Sequence, residues 1–405
     1  MIYDAYQAYA DLSHQVRVLA SSSNCILSQW GTMKYASPLR RMAAYYELVA
    51  LAGFTHTRPD YGICEIVTGS GLSLPVSEKE VLATPFCGLR RFSREGGEND
   101  PRVLLVAPMS GHFATLLRGT IRTLLHHHQV YVTDWRNVRD IPLEHGSFGF
   151  EDFVQHLVDF INFLGPQAHV VAVCQPAVPA LTAVAAMAQN DDSDQPASLT
   201  LMAGPIDARV SPTKVNELAT SKPIEWFKDK MIGVAPRSLG GAGRRVYPGF
   251  LQVAAFMSMN VERHSKAFVD LFKSRIDGDF EKANQIRDFY KEYFAIMDLD
   301  AKFYLETVEL VFQKHSLPQG KLYFRGQLVE PRAIRKTALL TIEGERDDIC
   351  AVGQTVAAHD LCSGLRPYMK SHVLQPDVGH YGVFSGRRWE TQIYPVVHDH
   401  IYASV

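Results

Sequence analysis

Three residues in this 405-residue chain stand where a nucleophile, an acid and a base could be brought together: Cys174, Asp347 and His380. Cys174 lies in HVVAVCQPAVPA (His169–Ala180), where an apolar, strand-like run passes directly into a helical pattern. A nucleophile at such a strand–turn–helix junction sits on a tight elbow, which calls for small residues two places before and after it. Here those places hold Ala172 and Pro176, giving A-x-C-x-P, and proline is acceptable in the first turn of a helix. A cysteine is strongly nucleophilic once ionised, and a neighbouring histidine and a helix N-terminus both favour the thiolate. Taken alone, the spacing also suits a buried, inert thiol at a strand end.

The partners follow in the chain order nucleophile, acid, histidine. After the apolar run TALLTI comes EGERDDI (Glu343–Ile349), which puts Asp347 and Asp348 in a strand-end loop. The layout G-x-x-D-x-I over Gly344–Ile349 favours Asp347 as the acid, with Asp348 as a surface or supporting residue. His380 falls in the glycine-rich loop QPDVGHYGVFSG (Gln375–Gly386) ahead of the last helical pattern. In this arrangement the acid orients the imidazole, and the imidazole takes the thiol proton and returns one to the leaving group. The oxyanion of an acyl-transfer intermediate would then be held by the backbone N–H of Gln175 and by one from Met109 or Ser110, in the loop APMSGHF (Ala107–Phe113).

Other features carry less. Adjacent histidines such as His126–His128 diverge around a helix end and chelate one ion poorly, so no metal site is expected. His112 suits a helix start better than catalysis, and Asp134–Asn137 reads as a structural network at the edge of the site. The loop SLGGAG (Ser238–Gly243) lacks the preceding strand and following Lys-Ser/Thr of a phosphate loop. The apolar run Tyr247–Met259 reads as a packed helix rather than a binding face.

To position these groups the chain must supply strands and crossover helices. Apolar, β-branched runs at Val103–Ala107, Val130–Thr133, His169–Val173, Leu199–Ala203, Thr337–Ile342 and His372–Leu374 suit parallel strands buried on both faces. Helical patterns lie at Ala114–His126, Phe150–Leu164, Pro176–Ala188, Ala351–Cys362 and Arg388–Ile401. The alternation marks an α/β chain with a mostly parallel central sheet. It stops between Gly204 and Arg335, a proline-bearing region with long helical patterns over Val253–Val311. The expected division is therefore a leading segment 1–100, with helical patterns at Asp4–Ala20 and Pro38–Leu51 and strand-like runs at Gly62–Thr68 and Gly88–Ser93. A core over 101–204 and 335–405 follows, with a mostly helical cap inserted at 205–334.

The bulk composition narrows the function. Lys+Arg is 41 against Asp+Glu 43, so no basic field suggests nucleic acid as a partner. Six cysteines without a C-x-x-C pair suggest free thiols in a reducing cytoplasm rather than a disulfide framework or zinc ribbon. No apolar stretch is long enough for a transmembrane helix, and MIYDAYQAYADLSHQ does not read as a secretory signal, so a cytoplasmic location is expected. A homo-oligomer is compatible with this reading, although no residue pattern supports one.

VCQP (Val173–Pro176), VYVTDWRN (Val130–Asn137), GERDDI (Gly344–Ile349), PDVGHYGVFSG (Pro376–Gly386) and the opening MIYDAYQAYADL together resemble the intracellular polyhydroxyalkanoate (PHA) depolymerases, over nearly the whole chain. The resemblance implies an α/β-hydrolase fold and a triad of Cys174, Asp347 and His380. It also implies hydrolysis of stored, amorphous poly(3-hydroxybutyrate) at the storage granule. The acyl thioester formed on cysteine would be open to coenzyme A as well as to water. The related PHA synthases carry G-x-C-x-G-G at the elbow and a histidine where Asp348 stands, and this chain has neither. Polymer synthesis and an inactive granule-coat protein remain the alternative readings.

Overall fold

Runs of valine, leucine and isoleucine with no polar alternation can be stable strands only if both faces are covered, and this is how the chain folds. The computed structural model describes residues 2–30, 37–69 and 71–404; Met1 and Val405, the outer bounds of the expected segments, lie outside them. Nine strands form one sheet: β1 (Glu65–Val67), β2 (Ser73–Ala83), β3 (Cys87–Arg94), β4 (Arg102–Val106), β5 (Gln129–Trp135), β6 (His169–Val173), β7 (Ser198–Met202), β8 (Ala338–Gly344) and β9 (Lys370–Gln375). Their order is β1-β2-β3-β5-β4-β6-β7-β8-β9. β1, β2 and β3 run antiparallel, β3 pairs antiparallel with β5, and from β5 to β9 all pairings are parallel. A parallel sheet with this exchange of β4 and β5, flanked by helices and led by an antiparallel edge, is the α/β-hydrolase fold.

The parallel register determines where the loops emerge. Val106 stands opposite Ala172, Val173 opposite Met202, Met202 opposite Ile342, and Gly344 opposite Gln375. The loops after β4, β6, β7, β8 and β9 therefore leave the sheet at one edge, the carboxyl edge where open α/β sheets bind ligands. Helix α3 (Arg118–Leu124), α4 (Phe150–Leu164) and α5 (Ala177–Gln189) cross between strands, and α12 (Tyr394–Ala403) closes the chain. α5 is alanine-rich and buried from Ala177 to Ala188, since only small side chains let a helix lie this deep.

Between β7 and β8 the chain leaves the sheet. This region carries α6 (Lys214–Thr220), α7 (Ile224–Lys230), α8 (Gly249–Met259), α9 (Val261–Asp277), α10 (Phe280–Tyr293) and α11 (Ala301–Thr307), with small antiparallel pairings among them. The first two helices are α1 (Ile2–Trp30) and α2 (Ser37–Leu51), and α1 runs ten residues beyond the Ala20 expected.

Several elements differ from expectation for identifiable reasons. β2 was not foreseen: SLPVSEKEVLA is largely exposed and charged, as sheet edges often are, and so shows little apolar alternation. Ala351–Cys362 is helical only at Ala358–Leu361. The buried Glu343 carboxylate accepts the N–H groups of Gly353, Thr355 and Val356 at 2.9, 2.7 and 3.0 Å, taking donors that a helix would have used. Ala114–His126 begins as a 3-10 turn and becomes α-helix only at Arg118–Leu124. Arg388–Ile401 is broken into a wide turn at Trp389–Ile393 followed by α12, whose first turn takes Pro395.

Candidate functional site

At the end of β6 the chain must turn at once into α5, and Cys174 takes that turn with φ +66°. A non-glycine residue in this left-handed region is strained by roughly 1–2 kcal/mol, which the surrounding structure has to offset. The Cys174 N–H donates to Met202 O at 2.7 Å, and Ala177 N–H donates to Cys174 O at 3.0 Å. The approach is too close for side chains: a Cβ on Gly204 would lie 2.1 Å from Ala177 Cβ and 2.8 Å from Cys174 O. Thr355 fastens the same point, its Oγ1 accepting from Gly204 N–H at 2.9 Å and donating to Gly204 O at 3.0 Å. The thiol is left half-buried at the carboxyl edge of the sheet.

Asp347 and His380 converge on it from β8 and β9. One oxygen of Asp347 accepts the N–H groups of Ile349 and Cys350, each at 2.8 Å, and the other faces His380 Nδ1 at 2.8 Å. Both side chains are buried, Asp347 wholly so. Burial alone would discharge the imidazole. The Asp347 carboxylate, hydrogen-bonded to Nδ1, and the neighbouring Cys174 sulfur override it and hold His380 well above the usual imidazole range. With Nδ1 committed to Asp347, the other ring nitrogen is the one left for Cys174. Asp348, by contrast, is exposed and accepts from Asn260 Nδ2 at 2.7 Å. The structure thus pairs His380 with Asp347, places Cys174 near enough to act on the imidazole, and leaves Asp348 outside the pair.

The loop after β4 completes the carboxyl edge. Trp135 Nε1 donates to Ala107 O and Ala107 N–H donates to Thr133 Oγ1, both at 2.9 Å, so β5 fixes where this loop starts. Gly111 turns it with φ +86° and lies close under Gln252 of α8. Met109, Ser110, Cys174 and Gln175 then line one cavity of about 350 Å³. Its remaining walls are mainly apolar side chains from between β7 and β8, among them Leu218, Phe227, Tyr247, Phe256, Phe303 and Phe312. The run Tyr247–Met259 is therefore not packing alone: Phe250 and Val253 are buried, while Gln252, Ala255, Phe256 and Ser258 face the cavity.

Sequence reasoning missed three parts of this site. The Gln175 side chain lines the cavity with both amide atoms buried and unpartnered among the described residues, whereas only its backbone N–H was foreseen. Cys350 shares the cavity wall, and burial pushes its thiol well up, so it stays protonated there. Burial likewise pushes the Tyr381 hydroxyl well up, next to His380. None of the three carries a motif of its own; each is found only once the strand ends are brought together.

The other singled-out residues lie apart from Cys174. His112 is buried against Phe256 and Tyr293, and burial lowers it to about 4. His127 and His128 pack on Tyr394 and His398. Asp134 borders a separate cavity of about 550 Å³ and is already engaged by Arg90 at 3.0 Å and Arg58 at 3.6 Å. Gly240 and Gly241 sit against the carbonyls of Asp140 and Arg139, too close for a Cβ at either position.

Residues 203–404 match the family model described as the PHB de-polymerase C-terminus, a stretch that includes Asp347 and His380 but begins after Cys174. No curated protein matches the chain. Among solved structures, a 2-hydroxy-6-oxo-6-phenylhexa-2,4-dienoate hydrolase from Rhodococcus sp. strain RHA1 is 15% identical with a TM-score of 0.45, covering 81% of this chain and 99% of its own. A thermophilic esterase from Thermogutta terrifontis is 16% identical with a TM-score of 0.42, covering 84% of this chain and 98% of its own. At such scores the fold assignment rests on the chain's own topology. Residues 203–404 belong to the PHB depolymerase C-terminal family, on a chain with the α/β-hydrolase fold.

Proposed function

We propose that this chain hydrolyses the ester bonds of amorphous polyhydroxyalkanoate, poly(3-hydroxybutyrate) above all, with Cys174 as nucleophile, His380 as acid and base, and Asp347 as its orienting carboxylate. One observation carries the reading: a strained cysteine at the strand–helix elbow, close enough to act on a histidine that is itself held by a buried carboxylate, at the mouth of an apolar cavity. His380, held protonated beside Asp347, carries the proton of the thiol–imidazole pair while sulfur attacks the ester carbonyl, and the oxyanion is held by Gln175 N–H together with Met109 or Ser110 N–H. The C–O bond then breaks, the alcohol leaves with the His380 proton, and a hydroxyacyl thioester remains on Cys174. His380 next takes a proton from water, which displaces the thiolate and frees the hydroxyacid. A thiol such as coenzyme A can take the place of water and would carry the acyl group away as a new thioester.

The cavity suits a polyester of short hydroxyacids, being apolar with few polar groups close to the reacting sulfur. The enzyme would act at the cytoplasmic storage granule. Release of 3-hydroxybutyrate from amorphous granules, with and without coenzyme A, tests the reading. Wild type should release product, Cys174→Ala should fold but release none, and a fully active Cys174→Ala would sink the assignment.

A further inference from the structure

A second cavity, of about 280 Å³, opens on the other side of the dyad. Its walls include His380 and Tyr381 from the loop after β9, Tyr293 from α10, and Asn260, Arg263 and His264 at the start of α9. Phe256 and Ile349 line both cavities and so form the partition between them. Cys174 and Gln175 face only the first cavity, and His380 faces only the second. The acyl carbon must bond to Cys174, and the departing oxygen must receive its proton from His380. The two sides of the scissile ester are therefore separated by the same partition: acyl part toward the first cavity, alcohol part toward the second.

We propose that the second cavity binds the alcohol-side product, a 3-hydroxyacid, and that Arg263 recognises its free carboxylate. In a linear polyester of hydroxyacids the alcohol side of every ester is the one that leads to the carboxyl end. For cleavage near that end, the carboxylate lies only a few bonds beyond the oxygen that His380 protonates. Arg263 has no ion-pair partner among the described residues, and its guanidinium forks onto a carboxylate as no other side chain does. It stands in the first turn of α9 (Val261–Asp277), whose N-terminus makes no side-chain capping bond, so the helix dipole also favours an anion there. Among the described residues of the wall the opposing charge is Asp348, which is engaged by Asn260. His264 is tied to the Tyr290 hydroxyl at 2.8 Å, and burial lowers it, so it adds no cation.

The proposal rests on the ester-hydrolase reading and can fail without it. The probe is the 3-hydroxybutyrate dimer, as free acid and as its methyl ester, which differ only in the charge at the alcohol-side end. The ratio of kcat/KM for the two does not depend on the fraction of active enzyme. At neutral pH wild type should prefer the free acid by about tenfold, a normal value for one charged contact in a part-exposed site. Arg263→Gln should bring the ratio close to one, Arg263→Lys should restore part of it, and Asp348→Asn should raise it above wild type. A wild-type ratio near one, or a ratio that Arg263→Gln leaves unchanged, overturns the assignment. Wild type that cleaves neither dimer refutes the hydrolase reading and this one with it.

Discussion

Replacing Asp347 with Asn changes one atom and should change the state of His380. The Asn carbonyl can keep the two N–H bonds from Ile349 and Cys350 that Asp347 accepts at 2.8 Å. That leaves the NH2 group facing His380 Nδ1, 2.8 Å away in the native pair. A donor there forces Nδ1 to accept, so the ring proton moves to the nitrogen that must take the thiol proton. The carboxylate charge that overrode burial is also gone, so His380 should fall below the ordinary imidazole range, reversing its native direction. Breaking a buried, hydrogen-bonded charge pair costs about 3–5 kcal/mol, and each 1.36 kcal/mol is tenfold in rate, so kcat should drop by roughly 10² to 10⁴. The assay is hydrolysis of a soluble 3-hydroxybutyrate oligomer, run beside the rate of Cys174 alkylation by iodoacetamide at pH 7 and thermal unfolding. Both rates should fall while the fold persists. A kcat within threefold of wild type in a folded variant would refute the role given to Asp347.

Two further outcomes follow from the geometry. Asp298 is buried, accepts from the Tyr3 hydroxyl and Gly249 N–H, and burial raises it from 3.8 to about 6. A carboxyl with a raised folded-state value binds its proton more tightly when folded, so its contribution to stability declines as pH rises from about 4 to 6. Relative to wild type, Asp298→Asn should gain about 2–3 kcal/mol between pH 4 and 7 in urea unfolding, and a pH-independent difference would contradict this. Gly204→Ala would place a methyl 2.1 Å from Ala177 Cβ and against Cys174 O. It should destabilise the fold by about 1–3 kcal/mol and lower kcat, as read by thermal unfolding and oligomer hydrolysis; wild-type values for both would show that the elbow tolerates the extra atom.

The parts of this site that could be read in the sequence are those fixed by local pattern. Buried parallel strands have to be apolar runs, so the ends of β6, β8 and β9 were visible, and with them Cys174, Asp347 and His380 in order. The G-x-x-D-x-I layout at Gly344–Ile349 and the glycine-rich loop at Gln375–Gly386 marked the acid and histidine turns. Contacts between distant segments were not visible. Glu343 reads as an ordinary surface acid until the fold shows it collecting three N–H groups of the loop after β8. The opening helix α1 gave no sign that Tyr3 would reach Asp298 and the start of α8. The cavity walls come from helices whose apolar faces look alike whether they meet a core or a substrate, which is why Phe256 on α8 read as packing. Arg263 and Gln175 have no local signature at all, since what distinguishes them is that, among the described residues, Arg263 has no ion pair and the Gln175 amide no hydrogen bond.

The central claim is that Cys174 carries the acyl group between the two halves of the reaction. Rapid acid quenching during turnover of a soluble 3-hydroxybutyrate oligomer, followed by intact-mass and peptide-mass measurement, tests it directly. The account predicts a transient adduct of hydroxybutyryl mass on the peptide containing Cys174, labile to hydroxylamine and absent from Cys174→Ala. An adduct on another residue, or undiminished turnover by Cys174→Ala, would contradict it.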